Sequence, residues 1–394
     1  EVHFLDLTDP NATLQCVAKR RDKVLYSVRH RAGSWYITTN VGGTPNMRLM
    51  MSEAVADSEA LWTDMKDHDG NVMFDGGYER SISGVTSFES HSVATGREGG
   101  LPQIWVIAYK GAESSEVKDF VQLTFAEDAF DVGLGSNLEC TADEIVIAYD
   151  SLVTPLSSIS IPLASPTDLS VRTTLKEQEV PGYDKLQYVS ERTTVTSRDG
   201  SAEIPVSIVA RKEVMEKLKA GETVPTHLYG YGSYGSSMSP DFSSTKFSLI
   251  DRDIIWVTAH IRGGMEKGMK WWKEGKLLKK KNTFEDYIAV AKFLINKKYT
   301  SKSKIIGMGG SAGGLLMGAV VNKEPELFLG MIMAVPFVDS LTTNLDHSLP
   351  LTIGEFDEFG NAQDNKEHFD YIFSYAPYQN IKKMDYPHIL ITTS

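Results

Sequence analysis

The sequence contains little cysteine, no long apolar run and no excess of positive charge. Cys16 and Cys140 are its two cysteines and lie far apart, which excludes a disulfide framework and a cysteine-based zinc site. A reducing compartment is therefore expected, and we predict a cytoplasmic protein. The apolar run Leu327–Val338 contains Gly330 and Pro336 and is shorter than the roughly 18 residues that cross a bilayer, so no membrane partner is expected.

The charge balance excludes a second class of partner. The formal net charge is −12 at pH 7, whereas binding to nucleic-acid phosphates depends on clustered Lys and Arg. We therefore expect no nucleic-acid partner and favour a cationic substrate. No histidine pair has the spacing of a helical metal site and no carboxylate cluster resembles a calcium loop, so no metal or cofactor is predicted. The run KLLKKKN at Lys276–Asn282 is predicted to be a solvated charged face.

The length of 394 residues and the hydrophobic content of 41% predict two domains. Up to about residue 175, short alternating runs separated by turn residues indicate an all-β half. Val24–His30, His91–Arg97 and Ile145–Asp150 recur irregularly, as propeller strands could, although a β-sandwich would give the same local pattern. The charged stretch KEQEVPGYD with its Pro-Gly turn indicates a domain boundary near Gly182.

The second half alternates continuous apolar strands with helical patterns. THLYGYG, DIIWVTAH, KIIGMGG, GMIMAVPFV and HILITTS are strand candidates of the kind found in buried parallel sheets. Between the second and third, an apolar stripe at helical spacing over residues 284–294 predicts a helix, and Thr283 with Asp286 resembles a capping box at its start. Strand, helix and strand in this order predict an α/β fold with a parallel sheet.

One serine of this half lies in a glycine-rich turn. Gly309, Ser311 and Gly313 satisfy G-x-S-x-G between a predicted buried strand and a helix beginning near Ala312, which is the context of a hydrolase nucleophile. The start of the helix directs N–H groups at a developing oxyanion, so the Ala312 amide is expected to donate to it. The alternative is a glycine-rich turn with a helix-capping serine, which the strand-turn-helix context disfavours.

A second glycine cluster, Gly230–Gly235, fits G-x-G-x-x-G after a strand, with Asp251 and Asp253 about 20 residues later, as in a dinucleotide site. That fingerprint requires a helix to start within the motif. The following residues, SSMSPDFSS, favour a loop instead. We therefore interpret the cluster as the loop after an earlier hydrolase strand, which supplies the other half of an oxyanion hole.

Both glycine clusters, HIRGG at His260–Gly264, the segment Lys276–Leu294 and VPFVDSLTTNLD at Val335–Asp346 resemble the prolyl oligopeptidase family of serine peptidases, in its oligopeptidase B branch. The resemblance favours a propeller over a sandwich. It implies a partial β-propeller over residues 1–181 and a partial α/β-hydrolase domain, a mostly parallel sheet with flanking helices, over 182–394. It also implies cleavage of short peptides after Arg or Lys through an acyl-enzyme, with the propeller limiting substrate access.

The resemblance implies roles for individual residues. Ser311 matches the nucleophile, and Tyr231 matches the hydroxyl donor to the oxyanion. Tyr234 and Phe337 match aromatic walls of the primary specificity pocket. Glu355 matches the carboxylate that receives the substrate's Arg or Lys.

Two further aspartates belong to the expected substrate site. Asp357 lies beside Glu355 in the sequence. Without the family resemblance, Glu355, Asp357 and Glu358 would be interpreted as a solvated acidic turn. Where the oligopeptidase B branch commonly has two acidic residues for a second basic side chain, this sequence has Ser239 and Asp241. A preference for paired basic residues is therefore not predicted.

The family order of catalytic residues is Ser, Asp and His, with the Asp just after the strand HILITTS. His347, His368 and His388 match no histidine segment of the family and stay unassigned. We expect the chain to be an internal portion that needs the remaining parts of the same polypeptide, with its Asp and His beyond Ser394, and to be inactive alone. Two alternatives stay open: an α/β-hydrolase esterase or lipase, and a non-catalytic propeller-based interaction protein.

Overall fold

The computed structural model describes residues 1–53, 61–78 and 80–393. The chain divides into two units. The first comprises Glu1–Glu127, Asp131–Asp150 and Leu156–Gln178, and the second comprises Asp128–Phe130, Ser151–Pro155 and Glu179–Ser394. Two short pieces of the first half are thus assigned to the second unit.

The first half of the chain consists of short strands, as its alternating pattern predicts. They are β1 (Val2–Phe4), β2 (Gln15–Ala18), β3 (Tyr26–Arg31), β4 (Ser34–Thr39), β5 (Arg48–Ser52), β6 (Thr63–Asp64), β7 (Arg80–Ser87), β8 (His91–Glu98), β9 (Leu101–Tyr109), β10 (Val117–Gln122), β11 (Phe130–Leu134), β12 (Glu144–Ser151), β13 (Ser157–Pro162) and β14 (Thr173–Glu177).

These strands form three four-stranded sheets in sequence order, β3 to β6, β7 to β10 and β11 to β14, and β1 pairs with β2. Each four-stranded sheet has the strand order of a propeller blade. The runs His91–Arg97 and Ile145–Asp150 lie in β8 and β12, the second strands of their sheets, whereas Val24–His30 overlaps β3, a first strand. Their irregular spacing follows because the three runs are not equivalent.

A buried arginine connects the first two of these sheets. Arg31 ends β3, and its guanidinium lies 3.8 Å from the ring centre of Tyr109 in β9. It donates to backbone carbonyls at 2.5 to 3.3 Å, those of Phe88, Glu89, Gly111, Ala112 and Ser114. The five carbonyls solvate a charge that burial would otherwise make costly.

The second unit contains seven strands of one sheet and eight α-helices among its described residues. The strands are β15 (Tyr188–Thr196), β16 (Glu203–Arg211), β17 (Thr226–Tyr229), β18 (Ile255–Ala259), β19 (Ile305–Gly310), β20 (Gly330–Ala334) and β21 (His388–Thr392). The helices are α1 (Lys212–Lys219), α2 (Ser244–Ile250), α3 (Met269–Lys273), α4 (Lys281–Asn296), α5 (Ala312–Lys323), α6 (Ser340–Asn344), α7 (Thr352–Phe359) and α8 (Lys366–Phe373).

The sheet order is β15-β16-β18-β17-β19-β20-β21. The last five strands in this order run parallel, and β16 joins them antiparallel through β18. All five strand candidates of the second half are present, and the expectation of a mostly parallel sheet with flanking helices is confirmed. None of the helices in the described ranges has the length and apolar character needed to cross a bilayer.

Helix α4 buries the predicted apolar stripe but starts at Lys281, so Thr283 and Asp286 are inside it. The Thr283 hydroxyl donates to the Arg262 carbonyl at 2.8 Å. The Asp286 carboxylate receives two hydrogen bonds from the Arg262 guanidinium, at 2.6 and 2.8 Å. The capping-box prediction is wrong because both side chains are buried against the HIRGG segment instead of closing the start of the helix.

Candidate active site

Ser311 lies on a sharp turn between β19 and α5. Its backbone has φ 55° and ψ −117°, and α5 begins at the next residue. A positive φ is strained for a residue with a Cβ, and here it leaves the serine side chain exposed while its neighbour Ala312 is buried. The strand, turn and helix around Ser311 are therefore those of a nucleophile elbow.

The glycines beside Ser311 are needed for close contacts. A Cβ added at Gly309 would lie 2.3 Å from the Gly313 carbonyl oxygen, and one at Gly314 would lie 2.4 Å from Pro336. A Cβ at Gly313 would lie 3.0 Å from the Gly230 carbonyl oxygen. Larger residues at these positions would push the strand, the helix and the neighbouring loop apart.

Two groups beside Ser311 are positioned to donate hydrogen bonds. Ala312 is the first residue of α5, and the first N–H groups of a helix have no acceptor within it. The Tyr231 phenol lies close enough to Ser311 for the serine to lower its pKa. Burial raises the pKa of the Tyr231 phenol, nearby Glu358 and Glu355 raise it further, and Ser311 opposes them. The phenol therefore stays protonated at neutral pH and keeps a proton to donate.

Tyr231 belongs to the loop Gly230–Gly235, which we call the oxyanion loop after its predicted role. Gly232 has φ 70°, and a Cβ there would lie 2.4 Å from the Thr283 side chain. A Cβ at Gly263 would lie 1.9 Å from the Gly232 carbonyl oxygen. No helix begins within the loop, and α2 begins only at Ser244. The structure therefore contradicts a dinucleotide fingerprint and agrees with a tightly packed loop after β17.

Tyr234, Phe337 and Glu355 lie in one group. The Tyr234 hydroxyl donates to Glu355 Oε1 at 3.1 Å. The rings of Tyr234 and Phe337 both contact Phe359, with centroids 5.7 and 5.6 Å apart. Burial raises the pKa of Glu355, and the hydrogen bond from Tyr234 opposes that shift. Sequence reasoning missed Phe359, although its position four residues after Glu355 on α7 places both on one helix face.

The other acidic residues have three different environments. Asp357 is exposed. Glu358 is buried and accepts hydrogen bonds from Lys280 and from the Trp272 indole. Asp241 forms an ion pair with Lys246 of α2 at 3.2 Å rather than contacting the Glu355 group. The interpretation of a solvated acidic turn therefore fits Asp357 only.

The run KLLKKKN differs from its prediction at one position. Lys280 is fully buried, so the prediction of a solvated face is wrong there.

The three histidines nearest the end of the chain have partners other than Ser311. His388 begins β21 opposite Gly330, at the end of the sheet opposite to the one where β19 leads into Ser311. The His347 ring contacts a phenylalanine on α7. His368 Nδ1 accepts the Asn361 amide at 3.0 Å. None of the three is brought to Ser311.

A buried Ser-His-Glu arrangement also occurs in the second unit. The Ser207 hydroxyl and His260 Nε2 are 2.8 Å apart, and His260 Nδ1 lies 3.9 Å from Glu266. All three side chains are almost completely buried. A substrate cannot reach this serine, so we interpret the arrangement as part of the buried packing around the HIRGG segment.

Comparison with known proteins identifies the family of this chain. The profile of the prolyl oligopeptidase family matches residues 240–394, and that of the prolyl oligopeptidase N-terminal β-propeller domain matches residues 1–173. The chain belongs to the prolyl oligopeptidase family. The resemblance found in the sequence and the combination of propeller and α/β-hydrolase folds are both confirmed.

Individual family members match over nearly the whole chain. It is 39% identical to a dipeptidyl aminopeptidase BI of Pseudoxanthomonas mexicana, over 96% of the chain and 49% of that protein. It is 37% identical to protease 2 of Moraxella lacunata, over 100% of the chain and 53% of that protein. The structure of oligopeptidase B from Leishmania major matches with a TM-score of 0.85 and 36% identity, covering 99% of this chain and 53% of that one. The chain spans about half the length of these family members.

Proposed function

We propose that the intact gene product is a serine peptidase that cleaves short peptides after Arg or Lys through an acyl-enzyme. The observation that carries the proposal is Glu355, a half-buried carboxylate that accepts a hydrogen bond from Tyr234. This group lies beside the elbow serine, because the backbone N–H of Phe337 donates to the Ser311 carbonyl at 3.0 Å. The names of its relatives, a dipeptidyl aminopeptidase and a protease, support peptides as substrates.

The elbow supports covalent chemistry at Ser311. Once a base has accepted its proton, the hydroxyl oxygen bonds to the scissile carbonyl carbon. The carbonyl oxygen becomes an oxyanion, which the Ala312 N–H and the Tyr231 hydroxyl can stabilise, each such donor contributing about 3 kcal/mol in the transition state. Collapse breaks the C–N bond, the amine leaves with the proton that the base had accepted, and an acyl group stays on Ser311 until water hydrolyses it.

The Glu355 group supports recognition of one basic side chain. A planar guanidinium can take a carboxylate through two parallel hydrogen bonds, and the rings of Tyr234 and Phe337 can contact a cation on their faces. The net charge of −12 favours the approach of cationic peptides. Because Asp241 is paired with Lys246, we propose no preference for a second basic residue.

The test compares two carboxylates of α7 in the intact gene product. Glu355→Gln should reduce the preference for an Arg-ended over a neutral-ended chromogenic peptide by about 30-fold or more, since losing such a buried charge pair costs about 2 to 5 kcal/mol. Asp357→Asn, the matched control at an exposed position, should change the preference less than about threefold. An unchanged preference in Glu355→Gln would remove the assignment of basic specificity.

A fluorophosphonate probe separates the two alternatives. Labelling that Ser311→Ala abolishes is expected of a serine hydrolase. An esterase or lipase would be labelled as well, but it would cleave neutral esters in preference and would not respond to Glu355→Gln. Absence of labelling, or labelling that survives Ser311→Ala, would favour a non-catalytic interaction protein.

A further inference from the structure

Lys280 is a buried lysine directly before α4, with 1% of its side chain exposed. Its ammonium group donates to the Gly232 carbonyl at 2.8 Å, to Ser233 Oγ at 2.5 Å and to Glu358 Oε1 at 3.1 Å. An ammonium has three protons, and these three acceptors use them all. Because a buried charge without partners costs several kcal/mol, the position of Lys280 depends on these acceptors.

Two of the acceptors belong to the oxyanion loop. Gly232 and Ser233 lie between Tyr231, whose phenol is close to Ser311, and Tyr234, which is hydrogen bonded to Glu355. Lys280 therefore fixes the backbone between the two phenols. A shift of this backbone would move both of them.

The third acceptor is on α7, the helix that carries the proposed substrate carboxylate. Glu358 is 3% exposed and lies one turn after Glu355. Its second oxygen accepts the Trp272 indole N–H at 2.7 Å, and the Lys280 ammonium lies 5.3 Å from the ring centre of Phe359. The lysine thus connects the oxyanion loop to α7 through buried hydrogen bonds, whereas the hydrogen bond between Tyr234 and Glu355 is exposed.

The charge of Lys280 also matters for the phenol beside Ser311. Glu358 is among the groups that raise the pKa of Tyr231, which makes its proton a poorer donor to an oxyanion. Lys280 pairs directly with Glu358 and offsets its charge. Without the lysine, the carboxylate would act on the phenol uncompensated in a region of low dielectric.

We propose that Lys280 is a positioning residue that holds the oxyanion loop and α7 in register, so that oxyanion stabilisation and recognition of the basic side chain are coupled. This role rests on the peptidase function proposed above. Lys280 does not touch the substrate in this proposal; it acts through Tyr231, Tyr234 and Glu355.

The principal test is Lys280→Met in the intact gene product. The rate is measured per active site titrated with the fluorophosphonate, together with the preference for an Arg-ended over a neutral-ended peptide. We expect kcat per titrated site to fall about 10- to 100-fold, the loss typical of misplaced catalytic groups, and the preference for Arg to fall with it. Lys279→Met, at a neighbouring lysine with 54% of its side chain exposed, is the matched control and should change neither quantity.

Three further variants separate the effect of position from those of charge and folding. Glu358→Gln retains an acceptor for Lys280 and should reduce kcat less than Lys280→Met does. The double variant Lys280→Met/Glu358→Gln removes both charges but leaves Gly232 and Ser233 without their donor, so most of the loss should persist. Ser233→Ala removes one acceptor from a lysine that keeps its charge, and it should reduce kcat per site about 3- to 10-fold if Lys280→Met fails to fold.

Three results would overturn the proposal. Lys280→Met could reduce only the titratable fraction while kcat per site and the Arg preference stay at parent values, which is a structural effect alone. The double variant could regain parent activity, which would show that Lys280 acts only by compensating the charge of Glu358. If Lys280→Met does not fold, parent activity per site in Ser233→Ala would also reject it. A parent protein that the probe does not label, or that does not prefer Arg, would instead reject the proposed function.

Discussion

Single residues of the second unit carry ionisable groups that burial removes from water. His227 is 4% exposed, and its ring stacks on Trp256 with centroids 3.9 Å apart. Its Nε2 contacts the sulfur of Met308. Since these neighbours supply no negative charge to a protonated imidazole, burial lowers the pKa of His227 from 6.5 to about 4.

This shift predicts an acid sensitivity. Between pH 6.5 and about 4, the unfolded state binds a proton at His227 that the folded state does not, so stability falls as the pH falls. The loss on reaching pH 4 is on the order of 3 kcal/mol. His227→Phe keeps a ring against Trp256 and should flatten this part of the curve of unfolding free energy against pH, measured by denaturant titration at several pH values.

The control is His347→Phe, which removes an exposed histidine and should leave the curve close to that of the parent. A slope as steep in His227→Phe as in the parent would show that other groups cause the acid sensitivity. Acid sensitivity lost in both variants would show that the effect is not specific to burial at position 227.

Whole elements of the second unit could be predicted from local pattern, whereas the partners of their polar residues could not. The five parallel strands follow from continuous apolar runs, and the apolar face of α4 follows from helical periodicity. Thr283 and Asp286 have the spacing of a capping box, but Asp286 binds Arg262, 24 residues away. Lys280 lies in a charged run that reads as solvated, and its acceptors are 48 and 78 residues away at Gly232 and Glu358.

The ion pair between α4 and the HIRGG segment predicts a stability effect. Arg262 and Asp286 are both buried, and their charges compensate each other. Asp286→Asn would replace the charged partner of the buried guanidinium with a neutral amide. Breaking a buried ion pair in this way typically lowers the free energy of unfolding by about 3 to 5 kcal/mol. The expected result is a clear fall in the midpoint of thermal or denaturant unfolding of the second unit.

Asp199→Asn is the comparison for this pair. Its carboxylate lies 3.3 Å from the Arg262 guanidinium but is 48% exposed, so solvent screens the interaction and the loss should be smaller. Equal losses in Asp286→Asn and Asp199→Asn would show that burial does not determine the strength of this ion pair.

At the scale of the whole molecule, the proposed site is built at one edge of a parallel sheet. The oxyanion loop follows β17, Ser311 follows β19 and Phe337 follows β20, and the carboxyl ends of parallel strands meet at the same edge. Sequence pattern predicted this convergence for the elbow and the loop. The roles of Tyr234, Phe337 and Glu355 were predicted from the family resemblance. Those of Phe359 and Lys280 depend on the packing of α7 against the loop, which local sequence pattern does not reveal.

The positions of the histidines predict the behaviour of the 394-residue chain on its own. A serine hydroxyl is a poor nucleophile until a positioned imidazole accepts its proton. Among the histidines described in the second unit, His347, His368 and His388 bond or pack elsewhere, and His227 and His260 are buried. We therefore expect no hydrolysis of an Arg-ended chromogenic peptide above the background of the Ser311→Ala form of the same chain.

The measurement compares the two forms at equal concentration, with the intact gene product as the positive reference. Background turnover in both forms of the 394-residue chain, together with Ser311-dependent turnover in the intact product, is the expected result. Ser311-dependent turnover by the shorter chain would contradict it. Removing His347, His368 and His388 one at a time would then identify the imidazole that moves to Ser311, because only its loss would return the rate to that of Ser311→Ala.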